Sequence, residues 1–464
     1  MSASNFLSLS QIAKMTGGTL IGADKAIDSV ATDSRLVKAD QLFIAIKGER
    51  FDAHDFVKDL NGKAGAALVH KKIDCDLPQV LVKDTLQALA DLAAAWRQQF
   101  KKPVIGLTGS NGKTTLKEML YAILSVEHNV LATYGNLNND IGMPLSLLRI
   151  RDEHDFAVIE MGANHHKEIE FLTNIARPDV AVVNNAGEAH LEGFGDLQGV
   201  AEAKGEIFNG LGTQGVAIIN ADDSFADYWK TLNQDRKFIT FGISNNATIS
   251  GQLSSDGGLM IKADNTEVRA NLKLLGRHNA MNALAATAVS TALGIKLEIT
   301  IEGLESLQPV KGRLAPVAGL YNSQILDDTY NANPDSAVAA LNVLAQRKNT
   351  AFVLGDMAEL GNDAEAMHQR IGAKAKELGI DQMYCLGAYS AKACDTFGDN
   401  GKSFVDMDDL LNTLKSDVAQ KSAQQSSPNN VITILVKGSR SMKMERAVNA
   451  LSAVSEDKDY RESA

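Results

Sequence analysis

The chain has few cysteines, no segment apolar enough to cross a bilayer and no excess of positive charge, and each shortage removes a class of function. Its three cysteines, Cys75, Cys385 and Cys394, are an odd number at no metal-ligand spacing. We therefore expect reduced thiols that fill core, not disulfide staples or zinc ligands. No run approaches the ~18 apolar residues that a membrane helix needs, and the N-terminus lacks the basic start and long apolar stretch of a signal peptide. A cytoplasmic protein with no membrane span is expected. Lys and Arg number 46 against 57 Asp and Glu, a formal net charge of −11, which argues against a nucleic-acid partner because phosphate backbones select clustered cations. A local basic pocket for a small anion stays open. No His-Glu-x-x-His string occurs, so a zinc hydrolase is not expected. The stretch Gly193-Phe-Gly195-Asp-Leu-Gln-Gly199 has the wrong spacing, and no preceding strand, for a dinucleotide fingerprint.

What the chain does contain is Val104-Ile-Gly-Leu-Thr-Gly-Ser-Asn-Gly-Lys-Thr-Thr115, an apolar strand-like run entering a Gly-rich turn that ends in Lys-Thr. Such a turn can hold nucleotide phosphates. Gly109 and Gly112 let the backbone curl and aim the N–H groups of Ser110 and Asn111 inward, while the N-terminus of the following helix adds positive potential. Lys113 then reaches the terminal phosphates, and the Thr114 hydroxyl, with Thr115 beside it, is placed toward a phosphate-bridging Mg²⁺. The spacing departs from a strict Walker A loop, since Leu107 stands where the first glycine would be. The alternative, a chance Gly-rich turn, is countered by the β-branched run before it and the helical pattern after it.

Length alone predicts about three domains. Residues 1–83 read as a small α/β domain, with apolar runs at 42–46 and 66–69. From 84 to 312, strand-like runs at 104–108, 156–160, 179–183, 216–220 and 238–242 alternate with helical patterns, as in a parallel sheet covered by helices. Short turn-rich stretches over 245–275, including Asp256-Gly-Gly258, suggest appended hairpins, and a helix follows over 278–293. Residues 313–464 repeat the rhythm, with strands at 324–328, 351–355, 382–386 and 431–436, and read as a doubly wound, Rossmann-like domain. Within it Lys421–Asn430 reads as a loop and Ser455–Ala464 as a frayed tail. The fold class expected is thus α/β in three domains, the central one a P-loop mononucleotide-binding domain.

Other residues gain meaning from position. Glu160 ends the apolar strand 156–160, and strand carboxyl ends face the ligand crevice in such sheets, which makes it a natural second Mg²⁺ ligand. Asn184, Asn185 and His190 follow the strand 179–183 on the same edge. The turn-rich Asn136–Pro144 stretch, with Asn138 and Asn139, either lines a cleft or merely turns the chain. Lys204, in the helical pattern Ala201–Phe208, reads by itself as a lysine on a solvated face.

Taken together, these segments resemble the Mur ligases, the ATP-dependent amino-acid ligases that build the peptidoglycan precursor peptide. The strings are Thr-Gly-Ser-Asn-Gly-Lys-Thr-Thr115, Glu160-Met-Gly, Asn-Asn-Ala-Gly-Glu-Ala-His190, Glu-Ala-Lys204-Gly-Glu-Ile, Gly-Arg-His-Asn-Ala-Met-Asn282, Lys-Gly-Arg313 and Asp-Asp-Thr-Tyr-Asn-Ala-Asn-Pro334, in family order along nearly the whole chain. The resemblance implies that Thr114 and Glu160 hold one Mg²⁺, and that His190 helps hold a second. It implies too that Lys204 is carbamylated by CO₂ to become an oxygen ligand. Asn279 and Asn282 would contact adenine, and Arg313 and Asp328 the phosphates and ribose. Thr32-Asp33-Ser34-Arg35 and the run 42–56 resemble the uridine-nucleotide domain of the two later enzymes of the pathway. Within the family, Asp-Thr-Tyr-Asn-Ala-Asn-Pro334, with Tyr330, Asn331 and Asn333 toward substrate, is similar to the ligase that adds D-alanyl-D-alanine to UDP-N-acetylmuramoyl-tripeptide, and the Asp-Asn-Pro-Arg string of the diaminopimelate-adding relative is absent. The expected catalytic set is Lys113, Lys204, His190 and Asp328, acting in a monomer through an acyl phosphate. The alternatives are a tripeptide-forming ligase, a folylpolyglutamate synthase or, in another class, a nucleotide-driven switch.

Overall fold

The apolar runs between residues 104 and 242 are buried on both faces and can be covered only by helices, so they pair side by side as parallel strands. In the computed structural model, which describes residues 6–48, 51–254, 257–263, 266–423 and 431–453, Val104–Thr108 lies between Phe156–Glu160 and Val180–Val183 in a nine-stranded sheet. Val130–Ala132 extends one side, and Val216–Asn220 and Phe238–Gly242 the other, all parallel. Beyond them the ladder Ile249–Leu253, Leu259–Ala263 and Thr266–Ala270 turns antiparallel. These are the hairpins expected over 245–275, and they make the sheet mixed instead of wholly parallel. Asp256 of the expected turn lies outside the described residues.

Alternation along these strands sends side chains to two different cores. Ile105, Leu107, Val158 and Val182 meet Leu116 and Leu120 of helix Lys113–Leu124 and Ala283 and Leu284 of helix Arg277–Ala292. Val104, Ile159 and Val183 meet the opposite layer, helices Thr85–Gln99, Glu168–Ala176 and Leu197–Gly205. That second core continues without a break into Leu42, Ile44, Leu68 and Val80, which belong to a five-stranded N-terminal sheet with the order Thr19–Ile21, Gln79–Leu81, Ala66–Val69, Gln41–Ile44, Ser29–Ala31.

The C-terminal sheet has six strands in the order Ala315–Ala318, Gln324–Asp328, Thr433–Lys437, Thr350–Gly355, Gln382–Leu386, Gly401–Phe404, all parallel except the first. Helices cover both faces. The two outer strands escape a reading by pattern because each is an edge: Ala315–Ala318 carries Pro316, which an edge strand tolerates, and Gly401–Phe404 is polar and half exposed. Where a loop was expected from Lys421, helix Met407–Ala423 runs on to Ala423 on the spacing of Leu410, Leu414 and Val418. The remaining loop residues 424–430 and the tail 455–464 lie outside the described residues. Cys385 and Cys394 are buried and Cys75 partly so, all three as free thiols. Among the described residues no helix is long and apolar enough to cross a membrane.

Candidate active site

The carboxyl ends of the central strands and of Gln324–Asp328 open onto one cleft of about 570 Å³. At its floor the chain leaves Val104–Thr108, turns through Gly109–Gly112 and enters helix Lys113–Leu124. Gly112 has φ +79°, and a Cβ there would stand 2.5 Å from Asn282 Oδ1 and 2.8 Å from Asn184 Nδ2, so conformation and space both demand glycine. The Ser110 hydroxyl donates to the Gly187 carbonyl at 3.0 Å and accepts the Gly187 N–H at 2.9 Å. Lys113 Nζ donates to Gly109 O at 2.6 Å, folding over its own loop. Burial holds its pKa below the usual lysine range, with the Glu160 carboxylate opposing that shift.

Glu160 is 2% exposed. Its Oε1 accepts from Asn138 Nδ2 at 2.8 Å, whereas its buried Oε2 has no hydrogen-bond partner. A buried carboxyl oxygen without a partner is costly in a protein interior. A hard divalent cation would relieve it, and Thr114 and His190 line the same cleft, so these three residues fit Mg²⁺. Thr114 Oγ1 accepts from Arg313 Nη2 at 2.9 Å. His190 Nδ1 lies 2.6 Å from Glu359 Oε2, a contact that holds the Glu359 carboxyl below its ordinary pKa.

Lys204 corrects the reading of a solvated face. It is 1% exposed, because Ala201, Ala203 and Gly205 let helix Leu197–Gly205 sink into the core. Its Nζ lies 3.4 Å from the Ala163 carbonyl and 4.9 Å from the Phe194 ring centroid, behind the cleft wall and not among the lining residues. Burial, reinforced by the charge of Lys113, lowers its pKa to about 7. An ammonium there cannot ligate a cation. The site accommodates Lys204 as a ligand only if the amine is first made anionic.

The third domain closes the cleft. Asp328 Oδ2 pairs with Lys437 Nζ at 2.5 Å, and its Oδ1 accepts the Leu314 N–H. The Arg313 guanidinium lies 4.1 Å from the Tyr330 ring centroid, and Asn331 gives its carbonyl to Lys437. Asn333 caps helix Pro334–Leu344 and also donates from Nδ2 to Asn111 Oδ1 at 2.8 Å. Asp335 Oδ2 accepts the Glu188 N–H at 2.7 Å, and Arg370 pairs with the Glu188 carboxylate. Asn279 and Asn282, each 3% exposed, line the cleft from helix Arg277–Ala292.

Three models of one family match in succession: the Mur ligase family catalytic domain over residues 26–97, the Mur ligase middle domain over 107–290 and the Mur ligase glutamate ligase domain over 312–440. The chain belongs to the Mur ligase family. It is 47% identical to the UDP-N-acetylmuramoyl-tripeptide–D-alanyl-D-alanine ligase of Escherichia coli (strain K12), over 96% of this chain and 98% of that one. A crystal structure of MurF from Acinetobacter baumannii superposes with a TM-score of 0.89 at 36% identity, covering 95% of this chain and 97% of the other. The MurF ligase of Thermotoga maritima in complex with ADP gives 0.79 at 28% identity, covering 91% and 96%.

In this Mur ligase some expected residues lie apart from the cleft. Among Thr32, Asp33, Ser34 and Arg35 none lines it, and Asp33 and Arg35 pair with each other at 2.6 Å in the N-terminal domain. Asn139 does both things that were left open for its stretch: it lines the cleft, and its Oδ1 accepts the Gly142 N–H to start helix Gly142–Leu147. Asp52, His54 and His70 cluster elsewhere in the N-terminal domain. There His54 Nδ1 meets Asp52 and its Nε2 accepts the His70 N–H, so both ring nitrogens are engaged and the group acts as a brace. Glu188, Glu359 and Arg370 escaped sequence reasoning because their partners lie across a domain boundary. Lys437 was detectable, since it ends a buried strand as Glu160 does.

Proposed function

We propose that this Mur ligase uses ATP to join D-alanyl-D-alanine to UDP-N-acetylmuramoyl-tripeptide in the cytoplasmic assembly of the peptidoglycan precursor. The observation that carries the reading is 47% identity, over nearly the whole of both chains, to the E. coli ligase of that name, with the phosphate loop, Glu160, His190 and the third domain facing one cleft. In this reading the tripeptide's terminal carboxylate attacks the γ-phosphorus of ATP, forming an acyl phosphate and releasing ADP. The dipeptide amine then attacks the acyl carbon, phosphate leaves with the C–O bond pair, and the amine gives up its proton as the amide forms.

The residues divide this work by chemistry. Lys113 exchanges the Gly109 carbonyl for the terminal phosphates, and Arg313 reaches the same charge from the third domain. Two Mg²⁺ ions, when bound, neutralise negative charge on the transferring phosphoryl group. Thr114, Glu160 and His190 would hold them, with Lys204 joining once its neutral amine has added CO₂ and lost a proton. Asn279 and Asn282 face the base, and Asp328, held by Lys437, faces the ribose. Tyr330, Asn331, Asn333, Asn138 and Asn139 face the joining substrates, and Thr32 to Arg35 serve the uridine nucleotide in the N-terminal domain. Domain closure keeps water from the acyl phosphate.

An amine panel tests the proposal. ADP and amide should form from the muramyl tripeptide with D-alanyl-D-alanine, and not with diaminopimelate or glutamate. Incorporation of either of the latter points to a different ligase, and phosphate release indifferent to both peptide substrates points to a nucleotide-driven switch.

A further inference from the structure

Beneath the phosphate loop runs a chain of side-chain amides whose orientations are dictated from both ends. Asn184 Nδ2 donates to the Asn111 carbonyl at 3.0 Å and to Asn282 Oδ1 at 2.8 Å. Asn282 Nδ2 donates to Asn279 Oδ1 at 3.2 Å, and Asn279 Nδ2 to the Leu275 carbonyl at 2.8 Å. The terminal acceptors are backbone carbonyls, which can only accept, so no amide in the chain can flip without setting oxygen against oxygen. Asn184 keeps its orientation although this leaves its buried Oδ1 without a donor. Turning it over would oppose two acceptors instead, which is worse.

The chain's first link sits where the loop needs support. Asn184 is 2% exposed, with its own backbone tied by its N–H to Thr108 O at 2.9 Å and by its carbonyl to Asn220 Nδ2 at 3.0 Å. Asn185 holds the same Asn111 backbone, its Oδ1 accepting the N–H at 2.8 Å and its Nδ2 donating at 3.0 Å to the carbonyl that Asn184 also reaches. The following Gly112 has no room for a Cβ against Asn184 and Asn282. At the far end Leu275 packs against the core of the third domain.

We propose that Asn184 is a positioning residue for nucleotide binding: its carboxamide ties the Asn111–Gly112 turn to helix Arg277–Ala292, so the phosphate loop holds its receiving shape before nucleotide arrives. Asn282 then acts on the phosphates through Asn184, besides any contact it makes to a base. Preorganised N–H groups bind an anion better than groups that must first be ordered. The claim rests on the nucleotide site of the proposed function and is independent of which amine the enzyme joins.

The test replaces Asn184→Leu, which keeps volume and removes both donors, and follows magnesium-loaded ATP, GTP and inorganic tripolyphosphate by competition against a fluorescent nucleotide. Loss of one buried hydrogen-bonded link predicts about tenfold weaker binding of ATP and of tripolyphosphate alike. The ATP-to-GTP preference and the KM for the uridine substrate should stay within about twofold. In a double-mutant cycle, Asn282→Leu on the Asn184→Leu background should weaken tripolyphosphate by less than about threefold, because the link is already broken. If Asn184→Leu does not fold, the isosteric Asn184→Asp, which places an acceptor against the Asn111 carbonyl, should weaken tripolyphosphate at least as much. Unchanged tripolyphosphate binding in a folded variant, or a loss confined to base preference, overturns the proposal.

Discussion

The third domain rests against the phosphate loop through contacts whose removal should open the molecule by a calculable amount. Asp335 Oδ2 accepts the Glu188 N–H at 2.7 Å, a bond to an ionised acceptor and so worth about 1.5–3 kcal/mol. Arg370 pairs with the same Glu188, but their side chains are 47% and 25% exposed, so screening limits that pair to about 0.2–1 kcal/mol. Because the two share Glu188, their sum, about 2–4 kcal/mol, is a ceiling. Removing both with Asp335→Ala and Arg370→Ala should shift the closed-to-open ratio toward open by up to roughly 30- to 700-fold, taking about 1.4 kcal/mol per decade. Gly187→Ala reaches the same contact by another route, since its Cβ would stand 2.5 Å from Asp335 Oδ2. Small-angle scattering without nucleotide should report a larger radius of gyration for both proteins. Steady-state kinetics should show a raised KM for ATP, because closure completes the site. Scattering curves and ATP kinetics identical to the parent in both variants would refute the assignment of these contacts as the closing latch.

Two further outcomes follow from the cleft. Lys113→Ala should lower kcat by about 10²–10³ while the KM for the uridine substrate stays within about threefold; equal losses in steady-state assays would count against a role on the phosphates. His278 is held neutral, its pKa lowered to about 4 mainly by burial, with Asp328 opposing and Lys437 assisting. Between about pH 6.5 and 4 the unfolded chain therefore binds the proton that the folded one refuses. Stability from this residue is complete above about pH 6.5 and lost as the pH falls toward 4, worth about 1–3 kcal/mol with the cleft partly open to water. Urea unfolding at pH 7 and 4.5 should show a smaller pH effect for His278→Gln than for the parent, and equal pH effects would remove the assignment.

Glu160 was legible in the sequence because a buried parallel strand announces its own carboxyl end, and Lys113 because it closes the Gly-rich turn that follows such a strand. The same rule applied to Thr433–Lys437 would have found Lys437. Lys204 was illegible from its residue type, since lysine normally stays solvated; the small neighbours Ala201, Ala203 and Gly205 decide its burial, and only comparison with a family drew attention to it. The cross-domain residues Glu188, Glu359 and Arg370 carry no local signal at all. Their meaning depends on how two sheets are set against each other, which no period in the chain encodes. Edge strands failed for the converse reason: Ala315–Ala318 is short and interrupted by Pro316, and Gly401–Phe404, with one side facing solvent, lacks the apolar run that marks its buried neighbours.

The sealing of Lys204 behind Ala163 and Phe194 makes the pocket wall a filter. A hydrated bicarbonate ion or a bulky acylating reagent would have to shed its water or force the helix outward, whereas a neutral triatomic gas needs only a fleeting gap in the packing. Were the carbamate of the proposed function formed there, the same packing that the gas must cross would screen it from bulk water.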